Sequence, residues 1–289
     1  MSEVKYCDKL FYKYRPINKH TESLLINNEL FFNHSDNFND PFDCKPETYH
    51  KGTQSEWMNF LNKYNMHPIK AKNTLKDNMK NGKMKRKSDG ILLENKAKLQ
   101  LENHPDDGTF IRACCFSERK DSLLMWGHYA KDHEGICLSF KSWPFGDYYL
   151  LPLATDGGLP FHKVTYKDIK PKPVNLLNRN TEETTRIVYD FFLTKFTDWQ
   201  YESEYRLLET VYGLNGKDIV KFQKNALEGI TFGLKVKPDN AQCIKDIVDQ
   251  YYEGLGIKLY RTKKIDKKYA VDFKEIRNFD KYIALLNKE

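Results

Sequence analysis

Between Ala113 and Ala130 the chain reads Ala-Cys-Cys-Phe-Ser-Glu-Arg-Lys-Asp-Ser-Leu-Leu-Met-Trp-Gly-His-Tyr-Ala. No other stretch restricts the fold as strongly. Cys114, Cys115 and Phe116 extend an apolar run from Phe110 and read as a strand. Ser117 closes the run, and four charged residues follow. Asp121 or Ser122 can then accept a backbone N–H and open a helix. On that helix Met125 and Tyr129 lie four apart, as do Trp126 and Ala130, so each pair shares a side. His133-Glu134-Gly135 stops the helix, and Ile136 to Phe140 reads as the next strand. A polar corner between a buried strand and an aromatic helix is a place where small-molecule sites form. It is more commonly a packed strand–helix unit with a solvated turn, and the pattern supports both readings.

The flanking sequence predicts one α+β domain over residues 1–289. Lys9 to Tyr14 is β-prone, and Arg15-Pro16 ends that strand because proline cannot continue a ladder. Thr21 is placed to cap a short helix running to about Asn27. Ser35-Asp36-Asn37-Phe38-Asn39-Asp40-Pro41-Phe42-Asp43 is dense in turn formers and predicts a structured loop, pinned to the core by its two Phe. Residues 56–104 predict a basic helical insertion, with Trp57, Phe60, Leu61 and Tyr64 at helical spacing. Residues 143–180 read mostly as loop, with a strand at Lys163 to Tyr166. Beyond lie a strand at Gly229 to Val236, a helix opened by Pro238, and closing strands at Ile257 to Arg261 and Tyr269 to Glu275. The sheet is expected to be mixed or antiparallel and split, with flanking helices.

The charge is unevenly spread. Residues 66–104 hold ten Lys and Arg against four acids, +6 of the chain's +7. A field of that kind suits nucleic acid, with Lys83, Lys85, Arg86 and Lys87 as the densest run, although a solvated helical face accounts for it as well. No apolar run approaches the ~20 residues that span a bilayer, and the first residues carry no signal pattern, so a cytoplasmic protein without membrane contact is expected. The six cysteines form no C-x-x-C, so they read as reduced and buried, and no metal site is expected.

The phosphate-loop, nucleophile-elbow, dinucleotide-fingerprint and H-E-x-x-H patterns are absent. What occurs instead, in order, is Asn37-Phe38-Asn39-Asp40-Pro41-Phe42-Asp43, Cys115-Phe116-Ser117-Glu118, Met125-Trp126-Gly127-His128-Tyr129-Ala130, Gly135-Ile136-Cys137-Leu138 and Glu202-Ser203-Glu204-Tyr205-Arg206. This set resembles a widespread bacterial family that is a domain of unknown function. The resemblance covers the whole chain except the basic insertion.

The element order also resembles, more weakly, an ADP-ribosyltransferase core. That resemblance implies NAD as a substrate and transfer of ADP-ribose to a macromolecular target. It gives NAD-binding roles to Tyr14 or Arg15, to Ser117, and to Tyr129 with Trp126 beside it. It gives the catalytic role to Glu204, with Glu202. Cleaving the nicotinamide–ribose bond builds positive charge on the sugar, and a carboxylate on its hydroxyls steadies that cation. Read as a strand, Tyr201 to Arg206 would put Glu202, Glu204 and Arg206 on one side. The alternative is a non-catalytic module that binds a nucleotide or nucleic acid in the same cleft.

Overall fold

The computed structural model describes residues 7–63, 66–93, 111–177, 181–210, 213–214 and 217–288. They form a mixed α+β fold in two compact units. One comprises Met1–His34, Ile111–Tyr166 and Thr197–Glu289; the other comprises Ser35–Phe110 and Lys167–Phe196. No helix among the described residues is long and apolar enough to cross a membrane.

The first unit is built on ten strands: β1 (Cys7–Arg15), β2 (Ile111–Ser117), β3 (Ile136–Phe145), β4 (Tyr148–Pro152), β5 (Gly158–Pro160), β6 (His162–Lys163), β7 (Glu204–Thr210), β8 (Leu227–Phe232), β9 (Lys258–Lys264) and β10 (Val271–Glu275). Their order is β6-β7-β2-β1-β3-β8-β9-β10, with β4 on β3 and β5 on β4. Neighbours are antiparallel except β8 and β9. A parallel pair needs a crossover, and helix α3 (Pro238–Tyr251) supplies it. Three other helices complete the unit: α1 (Lys19–Asn27), α2 (Leu123–Tyr129) and α4 (Phe279–Leu286).

Strand alternation decides what each face carries. Phe11, Phe116, Leu138 and Phe232 face the main core, which they share with Leu24 and Leu25 of α1, Ile244 of α3 and Tyr282 of α4. Each such fully buried Leu or Phe contributes roughly 1.5–3 kcal/mol of transfer free energy. Tyr14 and Cys137 face the other way and pack with Met125, Trp126 and Ala130 of α2. The first turn of α1 departs from expectation: Asn18, not Thr21, is its cap, accepting from the Thr21 N–H at 3.1 Å. Thr21 is buried instead, and its hydroxyl donates to the Pro16 carbonyl at 2.7 Å.

β1 pairs with β3 over most of its length, but with β2 at one position, Tyr12 opposite Ser117. Beyond it the two strands part. The Lys13 ammonium donates to the Cys115 carbonyl at 2.9 Å, and Asn33 exchanges backbone bonds with Ala113 at 2.8 and 3.1 Å.

After α2 the chain turns through Lys131, Asp132 and His133, all in the left-handed region, and reaches Gly135. A Cβ at Gly135 would stand 2.2 Å from the Arg15 carbonyl oxygen, which is backbone and cannot swing aside. Gly135→Ala is therefore expected to destabilise the protein by about 1–3 kcal/mol. Urea unfolding followed by far-UV circular dichroism measures it, and an unchanged midpoint would contradict the close approach.

In the second unit the segment predicted as a helical insertion is only partly helical. Helices span Gln54–Lys63 and Pro68–Lys80, but Met84–Lys87 and Gly90–Leu93 form a hairpin that pairs with Lys51–Gly52. Gly82 and Gly90 have φ of 71° and 140°, breaking the helical path, and Ile91 and Leu93 alternate inward. Lys85, Arg86 and Lys87 thus lie exposed on a strand rather than on a helix. Residues 94–104 of that segment lie outside the described residues. Trp57 is fully buried and donates its Nε1–H to the Ile91 carbonyl at 2.9 Å. In the Asn37–Asp43 loop the two acids face inward, and of the two Phe residues Phe38 is half-buried. Asp40 and Asp43 are buried, Asp43 lies 3.5 Å from the Lys195 ammonium, and Phe42 is exposed. The Asp40 carboxylate accepts the Phe42 N–H at 2.8 Å, which holds the loop's local bend.

Candidate functional site

The register of β1, β2 and β7 brings residues from three distant stretches onto one face. Tyr12 and Glu204 both stand opposite Ser117, and Arg206 stands opposite Cys115. Residues directly opposite share a face, so Tyr12, Tyr14, Cys115, Ser117, Glu204 and Arg206 lie on one face, where Tyr12 and Tyr14 pack against α2. Arg15 does not join them. It stands opposite Ile136 on the main-core face, and its Nε–H donates to the Thr21 hydroxyl at 3.3 Å. Burial of the guanidinium lowers its pKa.

The Glu-Ser-Glu-Tyr-Arg segment is a corner followed by a strand. Thr197–Glu202 is a short 3₁₀ turn, Ser203 takes φ of 45°, and β7 starts at Glu204. Plain alternation across Glu202 and Glu204 therefore does not hold; the left-handed Ser203 re-aims the chain between them. Neither acid is solvated: Glu202 is 2% exposed and Glu204 3%.

Buried charges require partners, and each acid has one. The fully buried Arg206 grips Glu204 with two bonds, Nε–H to Oε1 at 2.7 Å and a terminal N–H to Oε2 at 2.8 Å. The Glu204 backbone N–H donates to the Tyr166 hydroxyl at 2.8 Å. Glu202 accepts a short hydrogen bond from the Tyr129 hydroxyl through Oε1. The Ser117 hydroxyl donates to the Glu202 carbonyl at 2.6 Å and accepts the Arg119 N–H at 3.1 Å. Burial, and then the neighbouring Glu204 carboxylate, hold the Cys115 thiol pKa well above its ordinary value. That thiol stays protonated at neutral pH.

Tyr14 and Trp126 hold the turn between β2 and α2. The Tyr14 hydroxyl donates to the Arg119 carbonyl at 2.9 Å, and the Trp126 Nε1–H donates to the Lys120 carbonyl at 2.8 Å. The rings meet edge-on, centroids 5.2 Å apart. Trp126 is fully buried. Burial, then nearby Cys137, raises the Tyr14 phenol pKa. Ser122 caps α2, its Oγ accepting the Met125 N–H at 3.4 Å.

Around the Tyr129–Glu202 bond lie aromatic rings not singled out from the sequence. Tyr129, Tyr201 and Trp199 are half-buried and His128 is exposed. Ring centroids are 6.3 Å apart for His128 and Tyr129, 6.1 Å for His128 and Tyr201, and 6.1 Å for Trp199 and Tyr201. The available signal was local: Trp199 and Tyr201 lie within three positions of Glu202, and His128 immediately precedes Tyr129. No group of three metal-ligating side chains suited to an ion occurs among the described residues.

A comparison with family models covers the Glu202–Arg206 segment and most of α2. Residues 125–207 match the family described as a protein of unknown function, DUF2971. The DUF2971 match opens at Met125, the first fully helical core residue of α2, and closes at Leu207 in β7. It takes in Tyr129, Glu202, Glu204 and Arg206, and leaves out Tyr14, Arg15 and Ser117. No curated protein and no solved structure matches the chain.

Proposed function

We propose that the Tyr129–Glu202 site binds a nucleotide through one of its rings and a ribose hydroxyl. The reading rests on one observation: a buried carboxylate has a partly exposed tyrosine as its hydrogen-bond donor, with further half-exposed rings alongside. A planar ring stacks on such aromatics, and a ribose hydroxyl takes the place of the Tyr129 hydroxyl at Glu202. Glu204 has a different part. Both its oxygens are occupied by Arg206, so it sets the floor of the site and does not meet the ligand.

Transfer of ADP-ribose from NAD to a macromolecule is the second reading. It draws on the same carboxylate, which would steady a ribosyl cation once a sugar hydroxyl replaces Tyr129. On that reading Glu202, rather than Glu204, is the catalytic acid.

Calorimetric titration with NAD, ADP-ribose and nicotinamide tests the proposal. Saturable binding of NAD or ADP-ribose is expected, weakened about tenfold or more in Glu202→Gln, since a charged partner contributes roughly 1.5–3 kcal/mol. Tyr129→Phe is expected to bind as tightly or tighter, because the competing hydroxyl is gone and the ring remains. Absence of heat and of thermal stabilisation with all three compounds would remove both readings. Nicotinamide release from labelled NAD that is lost in Glu202→Gln would select the transferase over the binding module.

A further inference from the structure

β9 and β10 form a ribbon that runs past the rest of its sheet. β8 pairs with β9 from Gly229–Lys258 to Phe232–Arg261 and goes no further. The β9–β10 ladder continues from Arg261–Lys274 through Thr262–Phe273 and Lys263–Asp272 to Lys264–Val271. The base is anchored, since the buried Thr262 hydroxyl donates to the Phe232 carbonyl at 2.7 Å. The tip is closed by Ile265 N–H to Ala270 carbonyl at 3.1 Å and Lys268 N–H to Ile265 carbonyl at 3.2 Å, with Lys267 in the left-handed region.

The charge on this ribbon is one-sided. Residues 261–274 hold six cations (Arg261, Lys263, Lys264, Lys267, Lys268, Lys274) against Asp266 and Asp272, a net +4. Ion pairs occur along the rest of the sheet, as between Lys258 and Glu228 at 3.0 Å, but none of these six has one among the described residues. Arg261 and Lys274 stand directly opposite each other. Like charges in cross-strand pairs destabilise a sheet, so the native ladder carries this juxtaposition at a cost that an anionic partner would relieve. Tyr269, at the tip, is fully exposed.

We propose that this ribbon is a nucleic-acid-binding element of the first unit, separate from the Tyr129–Glu202 site and from the basic hairpin at residues 84–93. Its lysines meet phosphates, and the tip enters the major groove, whose width admits a two-stranded ribbon. Tyr269 offers a ring for stacking on an unpaired base. A membrane surface fits less well, because the tip's exposed residues are three lysines, Asp266 and one phenol, without the apolar side chains that enter an acyl boundary.

The test is fluorescence anisotropy of the full chain with short mixed-sequence duplex DNA, duplex RNA and single-stranded DNA across a salt series. Anionic phosphatidylserine vesicles serve as the competing surface. The variant Lys263→Gln/Lys264→Gln/Lys267→Gln/Lys268→Gln changes exposed or half-exposed side chains, and circular dichroism checks its fold. It is expected to bind the preferred nucleic acid at least about tenfold more weakly. Its slope of log affinity against log salt on duplex DNA should be shallower by roughly 3.6, at about 0.9 for each of the four lost phosphate contacts. Tyr269→Ala is expected to weaken single-strand binding by about fivefold or more. The proposal is overturned if the quadruple variant binds like wild type, if Lys85→Gln/Arg86→Gln/Lys87→Gln alone abolishes binding, or if vesicles are bound and nucleic acids are not.

Discussion

Replacing Arg206 with leucine is expected to cost about 3–5 kcal/mol of unfolding free energy. The reason is what remains behind. Glu204 is 3% exposed, both its oxygens are engaged by the guanidinium, and removing the cation strands a buried charge. The pair as a unit is worth far less, because taking two ions out of water offsets most of their attraction. The double variant Arg206→Leu/Glu204→Leu is therefore expected to recover most of the loss. Urea unfolding of the wild type, both single variants and the double variant measures the coupling. A double variant no more stable than Arg206→Leu would show that the ion pair is not what holds this face together.

Trp126→Ala is expected to destabilise by a similar amount, about 3–5 kcal/mol, through loss of the buried indole and the cavity it leaves. Here the effect is divisible. Trp126→Phe keeps much of the apolar volume but leaves the Lys120 carbonyl without its indole donor, and about 1–3 kcal/mol of the loss should persist. Thermal and urea unfolding of the two variants separates packing from hydrogen bonding. If Trp126→Phe matches wild type, the bond to the Lys120 carbonyl is not holding the turn. Both substitutions leave Glu202 and Tyr129 in place, so ligand titration of Trp126→Phe also reports how far the turn positions the site.

Much of this arrangement was legible before the structure, and the legible part has a common cause. The strand ending in Ser117, the cap at Ser122 and the helix through Tyr129 depend on neighbours in sequence, where periodicity and capping chemistry act. So do the stop at Pro16 and the helix opened by Pro238. The sequence of β4 reads as loop because Tyr148 to Pro152 pairs with β3 through a tight turn and carries little alternation. Helix α4 was overlooked although Asn278 caps it, accepting the Lys281 N–H at 2.9 Å. The corner at Ser203 was not legible, since a serine in the left-handed region leaves no mark in composition. The contact of Tyr129 with Glu202 spans 73 positions, and no spacing rule reaches that far. Arg15 was misgrouped for a simpler reason: alternation alone separates it from Tyr14, and only one of the two can face α2.

The parting of β1 from β2 has a mechanical meaning. Rungs resist separation in proportion to their number, and between these strands there is one. Backbone pairing across this seam is thus confined to Ser117, whose hydroxyl also clasps the Glu202 carbonyl. Side chains span the rest: the Lys13 ammonium reaches the Cys115 carbonyl, and the Phe116 ring meets Phe140 edge-on.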